Sequence, residues 1–143
     1  PPALIDVTRS SLATEWTAGG LLATPRDLAA FTLALRDGLV VSPAALSRMT
    51  RFRLTDEADE QAGQGIFRER VAGGWLDGYD GGVLGFGAVT GWIEGEDIVI
   101  SLATNVGMMH TGDDSFYPLQ LVRSKEFMHA LRRFAASLAQ PVG

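Results

Sequence analysis

Apolar side chains early in the chain recur at the spacing of an α-helix. Leu28, Phe31 and Leu35 fall on one face of such a helix. Thr24 precedes them, followed at once by proline and three residues later by an acid, which is typical of a capped helix start. The pattern therefore predicts a helix that begins just after Thr24 and ends near Asp37-Gly38.

A second, shorter helix is predicted after Ser42-Pro43, which repeat the same start. Residues 53–65 lack an apolar stripe and contain an acidic run at 56–60, so they indicate an exposed connector. A cation site on these acids is the less favoured alternative, because their spacing does not match a calcium loop. We place a helical segment at residues 16–60.

Residues 61–143 carry the pattern of strands followed by a helix. Ile66–Val71 is a plausible strand, and Val83–Ile93 alternates small with large residues, as in a sheet with two unlike faces. After a short hairpin loop at Glu94–Asp97, Ile98–Thr104 is almost continuously apolar, which predicts a central strand covered on both faces. About three antiparallel strands are expected.

The end of the chain predicts a long helix that packs on this sheet. Phe127, Leu131, Phe134 and Leu138 share one helical face, and Asp113-Asp114-Ser115 would supply the cap. Helices, then hairpin-connected strands, then one packing helix make an α+β order rather than a βαβ order.

Glycines are densest at Asp77–Ala88, which holds five of them. Such a stretch is expensive in backbone entropy, so it usually serves a positive φ or the close approach of another group. We interpret it as a turn that opens into a strand and forms the rim of a site.

Composition restricts the class of protein. The chain has 143 residues, 46% apolar and 20% charged, with a net charge of −5, which fits one folded domain and gives no basic face for nucleic acid. No apolar run is long enough to span a bilayer, so no membrane segment is expected. The start at Pro1-Pro2 has neither methionine nor the regions of a signal peptide, so the chain is interpreted as a fragment.

Few residues are available for catalysis or metal binding. The only lysine is Lys125, and Val122 stands three residues before it, so no Ser-x-x-Lys pair exists. Without cysteine, a thiol nucleophile and thiolate metal ligands are excluded. Of the two histidines, His110 in a loop is a better base candidate than His129 on the terminal helix, but no activated serine accompanies either. No metal site and no cofactor are predicted.

Three blocks of the sequence resemble, in order and spacing, the family of serine β-lactamases and D-alanyl-D-alanine carboxypeptidases. They are Trp16–Phe31, similar to "aGGl-sT-xDla-f"; Gly78–Phe86, similar to "G-H-x-G-G-x-x-G-F"; and Ile98–Asn105, similar to the strand ending in "-xTN". The family includes class C β-lactamases, penicillin-recognising peptidases and related esterases. The resemblance covers about residues 16–107 and implies a serine hydrolase that works through an acyl-enzyme on a β-lactam, a D-Ala peptide or a carboxylic ester.

The resemblance also implies roles for four neighbouring residues. Tyr79, Asp80 and Gly81 occupy the family's third motif, Lys/His-x-Gly, which lines the substrate beside the serine. The N–H of Gly82 falls where the family places one of two oxyanion donors. Tyr79 departs from the pattern, because a phenol is neutral near pH 7 and cannot replace a cation that holds a carboxylate.

The first two family motifs are absent, so the resemblance implies that residues 1–143 are the C-terminal part of a β-lactamase-like domain and are inactive alone. The strand at Ile98–Thr104 would then have an open edge, covered by the N-terminal half of the same polypeptide or by a second copy. Family members are commonly exported, which implies a periplasmic or extracellular location, although no residue here shows it. The alternatives are a non-catalytic binding module that keeps the fold, and an unrelated small α+β domain.

Overall fold

The computed structural model describes residues 6–11, 13–107 and 118–139. A 3-10 turn at Ala13–Glu15 leads into the helices, which are α1 (Trp16–Gly19), α2 (Pro25–Arg36), α3 (Pro43–Met49), α4 (Pro118–Arg123) and α5 (Lys125–Leu138). No helix in these ranges is both long and apolar enough to cross a membrane.

The start of α2 is the capping box that the sequence predicts. Thr24 Oγ1 accepts a hydrogen bond from the Asp27 N–H at 3.2 Å, and Asp27 Oδ2 accepts one from the Thr24 N–H at 3.0 Å. Both donors would otherwise lack a partner within the helix. The predicted start of α3 is likewise confirmed, since Ser42 Oγ accepts from the Ala45 N–H at 3.3 Å.

The six strands of the sheet follow one another in space as they do in sequence, each antiparallel to the next. They are β1 (Arg53–Leu54), β2 (Glu60–Ala62), β3 (Phe67–Val71), β4 (Gly74–Val83), β5 (Phe86–Ile93) and β6 (Val99–Thr104). The α+β class is confirmed, but the expected number of about three strands is wrong.

Two of the additional strands, β1 and β2, lie in the segment interpreted as an exposed connector. They are three residues long or shorter, and β1 is exposed, so neither carries the apolar alternation that marks a strand in sequence. Pairing of β2 with the edge of β3, and of β1 with β2, forms them, because this satisfies backbone groups with little burial of side chains. The acidic turn between them remains exposed as expected.

The strand predicted to be central, β6, is the last strand of the sheet within the described residues. The predicted cover on both of its faces is confirmed, since helices pack on each of them. Ile100 and Leu102 face the core under α4 and α5, while α2 packs on the other face. Within the described residues no strand pairs with the outer side of β6, and the expectation that another part of the polypeptide or a second copy covers this edge stays a prediction.

The main core lies between the sheet and the two C-terminal helices. It consists of buried side chains from β3 to β6, α4 and α5: Val71, Leu76, Val89, Ile93, Ile100, Leu119, Val122 and Met128. On the opposite face, Thr32 of α2 is buried and its hydroxyl lies 2.7 Å from that of Thr90 on β5. The molecule therefore has three layers, with helices on both faces of the sheet.

Two of the predicted apolar helix faces are only partly buried. On α2 the buried residue is Thr32, and Phe31 is 55% exposed. On the terminal helix Phe127 and Leu131 pack against the core, whereas Phe134 and Leu138 are exposed.

The predicted long terminal helix is divided in two at Ser124, whose Oγ accepts from the Phe127 N–H at 3.2 Å and so starts α5. This division differs from the sequence prediction of one continuous helix. The predicted cap at Asp113-Asp114-Ser115 lies outside the described residues. Arg132 ties α5 to the sheet by donating from Nη1 to the Ala72 carbonyl at 2.7 Å.

A buried carboxyl joins α4 to the sheet. Glu69 on β3 is 5% exposed, and Arg123 Nη2 on α4 donates to its Oε2 at 2.6 Å. Burial raises the pKa of Glu69 above its ordinary value of 4.5; Arg123 opposes this, and the cross-strand neighbour Glu60 adds to it. The ion pair alone would lower the pKa, but loss of hydration outweighs it.

This raised pKa predicts a pH-dependent contribution to stability. Because the folded protein holds the proton of Glu69 more tightly than the unfolded chain, the contribution is complete below pH 4.5 and is lost as pH rises through the folded-state pKa. We expect Glu69→Gln to flatten this part of the profile of unfolding free energy against pH, measured by urea titration. Glu57→Gln, in the exposed turn, is the control; equal profiles for the two variants would contradict the assignment.

Candidate functional site

The glycine-dense stretch Asp77–Ala88 is a β-hairpin rather than a turn that opens into a strand. Strand β4 continues through the first glycines to Val83, and β5 begins at Phe86. The two residues between them turn the chain, with Gly85 at a φ of +81°. The sequence prediction placed the start of the strand too late, because the glycines of β4 hide its alternation.

Strand β4 extends beyond its neighbour β3. Pairing with β3 ends where Phe67 faces Gly78, while pairing with β5 continues to Val83. Among the described residues, no strand pairs with the other side of Tyr79–Val83. We call these five residues the overhang, and we call the side that no described strand pairs with its outer edge.

The backbone directions on this edge follow from the strand geometry. The Trp75 carbonyl accepts from the Glu94 N–H at 3.0 Å, so it points toward the β5 side. Because N–H and C=O groups of successive residues in an antiparallel strand point alternately to the two sides, those of Asp80 and Gly82 point away from β5. The Gly82 N–H therefore faces the outer edge, and Gly82 is exposed.

The four residues with predicted roles all lie on the overhang. Tyr79, Gly81 and Gly82 are exposed, and Asp80 is half-buried. Tyr79 faces Thr90 across the pair of strands, so its side chain leaves the sheet on the face that carries α2. Its ring packs against that of Phe67, with centroids 5.3 Å apart and planes at 56°.

An ion pair fixes the base of the overhang. Asp77, two residues before Tyr79 on the same face, is 3% exposed and accepts from Arg68 Nε at 2.6 Å and Nη2 at 2.7 Å. Arg68 also contacts Glu94 at 2.8 Å, and its guanidinium lies 4.3 Å from the centre of the Phe52 ring. The hydrogen bonds to Asp77 raise the pKa of Arg68 above its ordinary value, so it stays charged although partly buried.

Helix α1 lies beside the far end of the overhang. The contact is so close that a methyl group on Gly19 would come within 2.7 Å of Val83 Cγ1. Since α2 packs on β5 and β6, all three sequence blocks that carry the family resemblance meet around this part of the sheet.

Other candidates from the sequence lie elsewhere. His129 is exposed on α5, which packs on the opposite face of the sheet from Tyr79, and His110 lies outside the described residues. In the described ranges no group of three or more acidic or histidine side chains could hold a metal ion. Sequence reasoning missed Phe67 and Arg68, and it gave Asp77 a place on the rim but no partner; these contacts depend on the register of β3 against β4.

Comparison with known proteins identifies the family. The model of the Beta-lactamase family matches residues 1–117, so the chain belongs to this family. A search of curated proteins finds no match.

Several solved structures are similar to this chain. The D-amino acid amidase of Ochrobactrum anthropi SV3 in complex with L-phenylalanine amide is 27% identical, with a TM-score of 0.65 over 80% of this chain and 35% of the amidase. The same enzyme with D-phenylalanine is 25% identical, with a TM-score of 0.64 over 79% and 37%. A D-stereospecific amidohydrolase from Streptomyces sp., 23% identical with a TM-score of 0.51 over 57% and 25%, shares the fold.

These matches support a β-lactamase-like fold and a serine hydrolase family for the chain. The chain spans little more than a third of the length of the amidase.

Proposed function

We propose that this chain forms one wall of the active site of a serine hydrolase that acts on an amide or ester through an acyl-enzyme. The observation that carries the proposal is the overhang, where the N–H of the exposed Gly82 points to an edge with which no described strand pairs. In this role the Gly82 N–H donates to the oxyanion, and Tyr79, Asp80 and Gly81 line the substrate. An oxyanion site needs such a donor within about 3 Å of the developing charge.

The nucleophile in this proposal comes from a part of the hydrolase outside these 143 residues. The chain contains no Ser-x-x-Lys sequence and corresponds to 35–37% of the similar amidase. A serine here would need an activating base, and His129 stands on the far side of the sheet.

Exposed apolar side chains on the side of α1 and α2 support the idea that another part of the hydrolase covers this side. Trp16, Leu21 and Leu22 are almost fully exposed, and Phe31 of α2 is half-exposed. Apolar side chains this concentrated usually mark an interface. We propose that the remainder of the hydrolase, in the same polypeptide or supplied by a second one, covers this surface and the edge of β6.

Two of the substrates that the resemblance implies, a β-lactam and a D-Ala peptide, carry a carboxylate, and the third-motif position here offers no cation to bind it. An amide or ester without that carboxylate fits Tyr79 better. L-phenylalanine amide, which is bound in one of the similar amidase structures, is an amide of this kind.

The proposal predicts that the chain alone has no hydrolytic activity. We expect no turnover above buffer with a chromogenic β-lactam, an amino acid nitroanilide or a short-chain nitrophenyl ester. Addition of the nucleophile-bearing part should produce turnover that a serine-reactive phosphonate blocks. Phosphonate-sensitive turnover by the chain alone would place the nucleophile within it, and ligand binding without turnover in the completed protein would favour the non-catalytic module.

A further inference from the structure

We propose that contacts around the turn of the β4–β5 hairpin set the position of the Gly82 N–H, and that Gly19 and Gly107 are positioning residues for the proposed reaction. We call residues 83–86, which join the two strands, the hairpin tip. The inference rests on the proposed function for the role of the Gly82 N–H as an oxyanion donor. The contacts themselves involve residues to which the family resemblance assigns no role.

The part of β4 next to the hairpin tip has almost no side chains that could hold it in place. Gly81 faces Ala88 and Gly82 faces Gly87, so the largest side chain in these two rows is one methyl group. Pairing with β5 restrains Gly82 on one side, and no described strand pairs with its outer edge. Further restraint on Gly82 therefore has to come largely from the adjoining hairpin tip.

The segment that follows β6 lies against the hairpin tip. Thr104 Oγ1 donates to the Val106 carbonyl at 3.1 Å in the bend after the strand, and the next residue, Gly107, is buried. A Cβ atom on Gly107 would come within 2.7–2.9 Å of three backbone atoms of the tip, of which the Gly85 nitrogen is the nearest. The φ of Gly107 is not positive, so close approach, and not backbone conformation, requires glycine here.

Two more segments contact the hairpin tip from other directions. On α1, a Cβ atom added to Gly19 would lie 2.7 Å from Val83 Cγ1. Near the start of the chain, the Val7 side chain fills the space that a Cβ atom on Gly85 would need, and a hydrogen bond of 2.8 Å from the Ser10 N–H to the Val7 carbonyl closes the turn there. Gly85 is buried although it lies in a turn. Three segments that are far apart in sequence thus meet at the four residues of the tip.

The contacts reach Gly82 through its neighbour Val83. Gly107 lies against the carbonyl oxygen of Val83, and Gly19 lies against its side chain. Since Gly82 and Val83 are joined by one planar peptide unit, a displacement of Val83 changes the position of Gly82 as well. An oxyanion donor has to lie within about 3 Å of the developing charge, and a misplacement of about 1 Å can cost about 100-fold in rate.

Gly107→Ala tests this restraint. Heavy atoms in contact lie roughly 3.5 Å apart or more, and backbone atoms cannot rotate away from the added methyl group, so the hairpin tip has to shift. In the hydrolase completed by its nucleophile-bearing part, we expect kcat to fall about tenfold while KM stays within about twofold. Gly74→Ala is the matched control, because it lies on the same strand in open space; its kcat should be unchanged.

Gly19→Ala gives a second measurement if Gly107→Ala does not fold. Alanine is favourable in a helix, and the Val83 side chain is stiff at χ1, so the methyl group should displace Val83 and lower kcat about tenfold. Adding Val83→Ala to this variant removes Cγ1, the atom that the new methyl group contacts. The double variant should therefore recover kcat, which would not happen if the single change acted only by weakening the fold.

The direction of the Gly82 N–H can be measured in the 143-residue chain without turnover. The residual dipolar coupling of this bond, recorded by NMR on ¹⁵N-labelled protein, reports its orientation. We expect the coupling to change in Gly107→Ala and in Gly19→Ala, and to return when Val83→Ala is added to the latter. It should stay the same in Gly74→Ala.

An unchanged Gly82 coupling in the folded Gly107→Ala and Gly19→Ala chains would overturn the inference. So would an unchanged kcat despite a changed coupling, or a loss of kcat in Gly19→Ala that Val83→Ala does not restore. Failure of the proposed function gives a different result, because the completed protein would then show no turnover even with the unaltered chain. In that case the coupling alone decides whether the hairpin tip positions Gly82.

Discussion

Replacing Asp77 with alanine is expected to lower the free energy of unfolding by about 3 kcal/mol. The carboxylate is almost fully buried and receives two hydrogen bonds from Arg68, so its removal leaves a partly buried cation without its main partner. The effect is at the low end for a buried pair, because Arg68 keeps Glu94 and the face of Phe52. Urea unfolding followed by far-UV circular dichroism measures the change.

The chain provides a matched control for this prediction. Asp97 also pairs with an arginine, Arg36, at 2.9 Å, but its side chain is 94% exposed. Asp97→Ala should therefore change stability by only about 0.5 kcal/mol. A loss at Asp77 no larger than the loss at Asp97 would show that the buried pair does not hold the sheet together.

A double variant separates the value of the pair from the cost of breaking it. Arg68→Met with Asp77→Leu replaces both charges with apolar groups, and buried pairs replaced in this way often recover stability. We expect the double variant to be more stable than Asp77→Ala. If the double variant is instead less stable than Asp77→Ala, the contacts of Arg68 with Glu94 and Phe52 contribute net stability as well.

The sequence predicts best those elements whose signals are local. The capping box at Thr24, the start of α3 at Ser42 and the hairpin loop at Glu94–Asp97 each depend on a few adjacent residues, and the structure contains all three. Helix caps and short turns satisfy their hydrogen bonds within the segment, so no distant contact can overrule them.

Elements that depend on distant contacts are predicted less well. Strand β2 forms because β3 offers an edge, and β1 then pairs with β2; the polar residues of β2 give no sign of this. The apolar run of β6 indicates cover on two faces, but it cannot distinguish flanking helices from flanking strands. For the same reason, the face of α2 was assigned to Phe31, whereas contact with Thr90 buries Thr32 instead.

The candidate site likewise has features that local sequence predicts and features that depend on distant contacts. Its glycines and the resemblance at Gly78–Phe86 locate it in the sequence. Its shape depends on the register of β3 against β4, because this register sets where β3 stops. The contacts of Phe67 with Tyr79 and of Arg68 with Asp77 depend on the same register. No pattern within a single strand contains that information.

Replacing Gly82 with proline is expected to lower kcat about 10²–10³-fold in the hydrolase completed by its nucleophile-bearing part. Proline removes the N–H that we propose as an oxyanion donor. Because that N–H faces the outer edge, no bond to β5 is lost, and the variant chain should fold with nearly unchanged stability. Steady-state kinetics with an amide substrate, together with urea unfolding, test both statements.

Proline at the preceding residue gives the opposite result and is the natural control. The N–H of Gly81 points toward β5, so Gly81→Pro breaks a bond of the β4–β5 pair and should destabilise the chain by about 1–3 kcal/mol. Gly82→Ala keeps the N–H and should retain most of the activity. If Gly82→Pro and Gly82→Ala have the same kcat, the oxyanion donor is not at Gly82. If Gly82→Pro unfolds as readily as Gly81→Pro, the Gly82 N–H takes part in a bond that holds the fold. The two neighbouring positions therefore separate a backbone group that serves catalysis from one that serves the sheet.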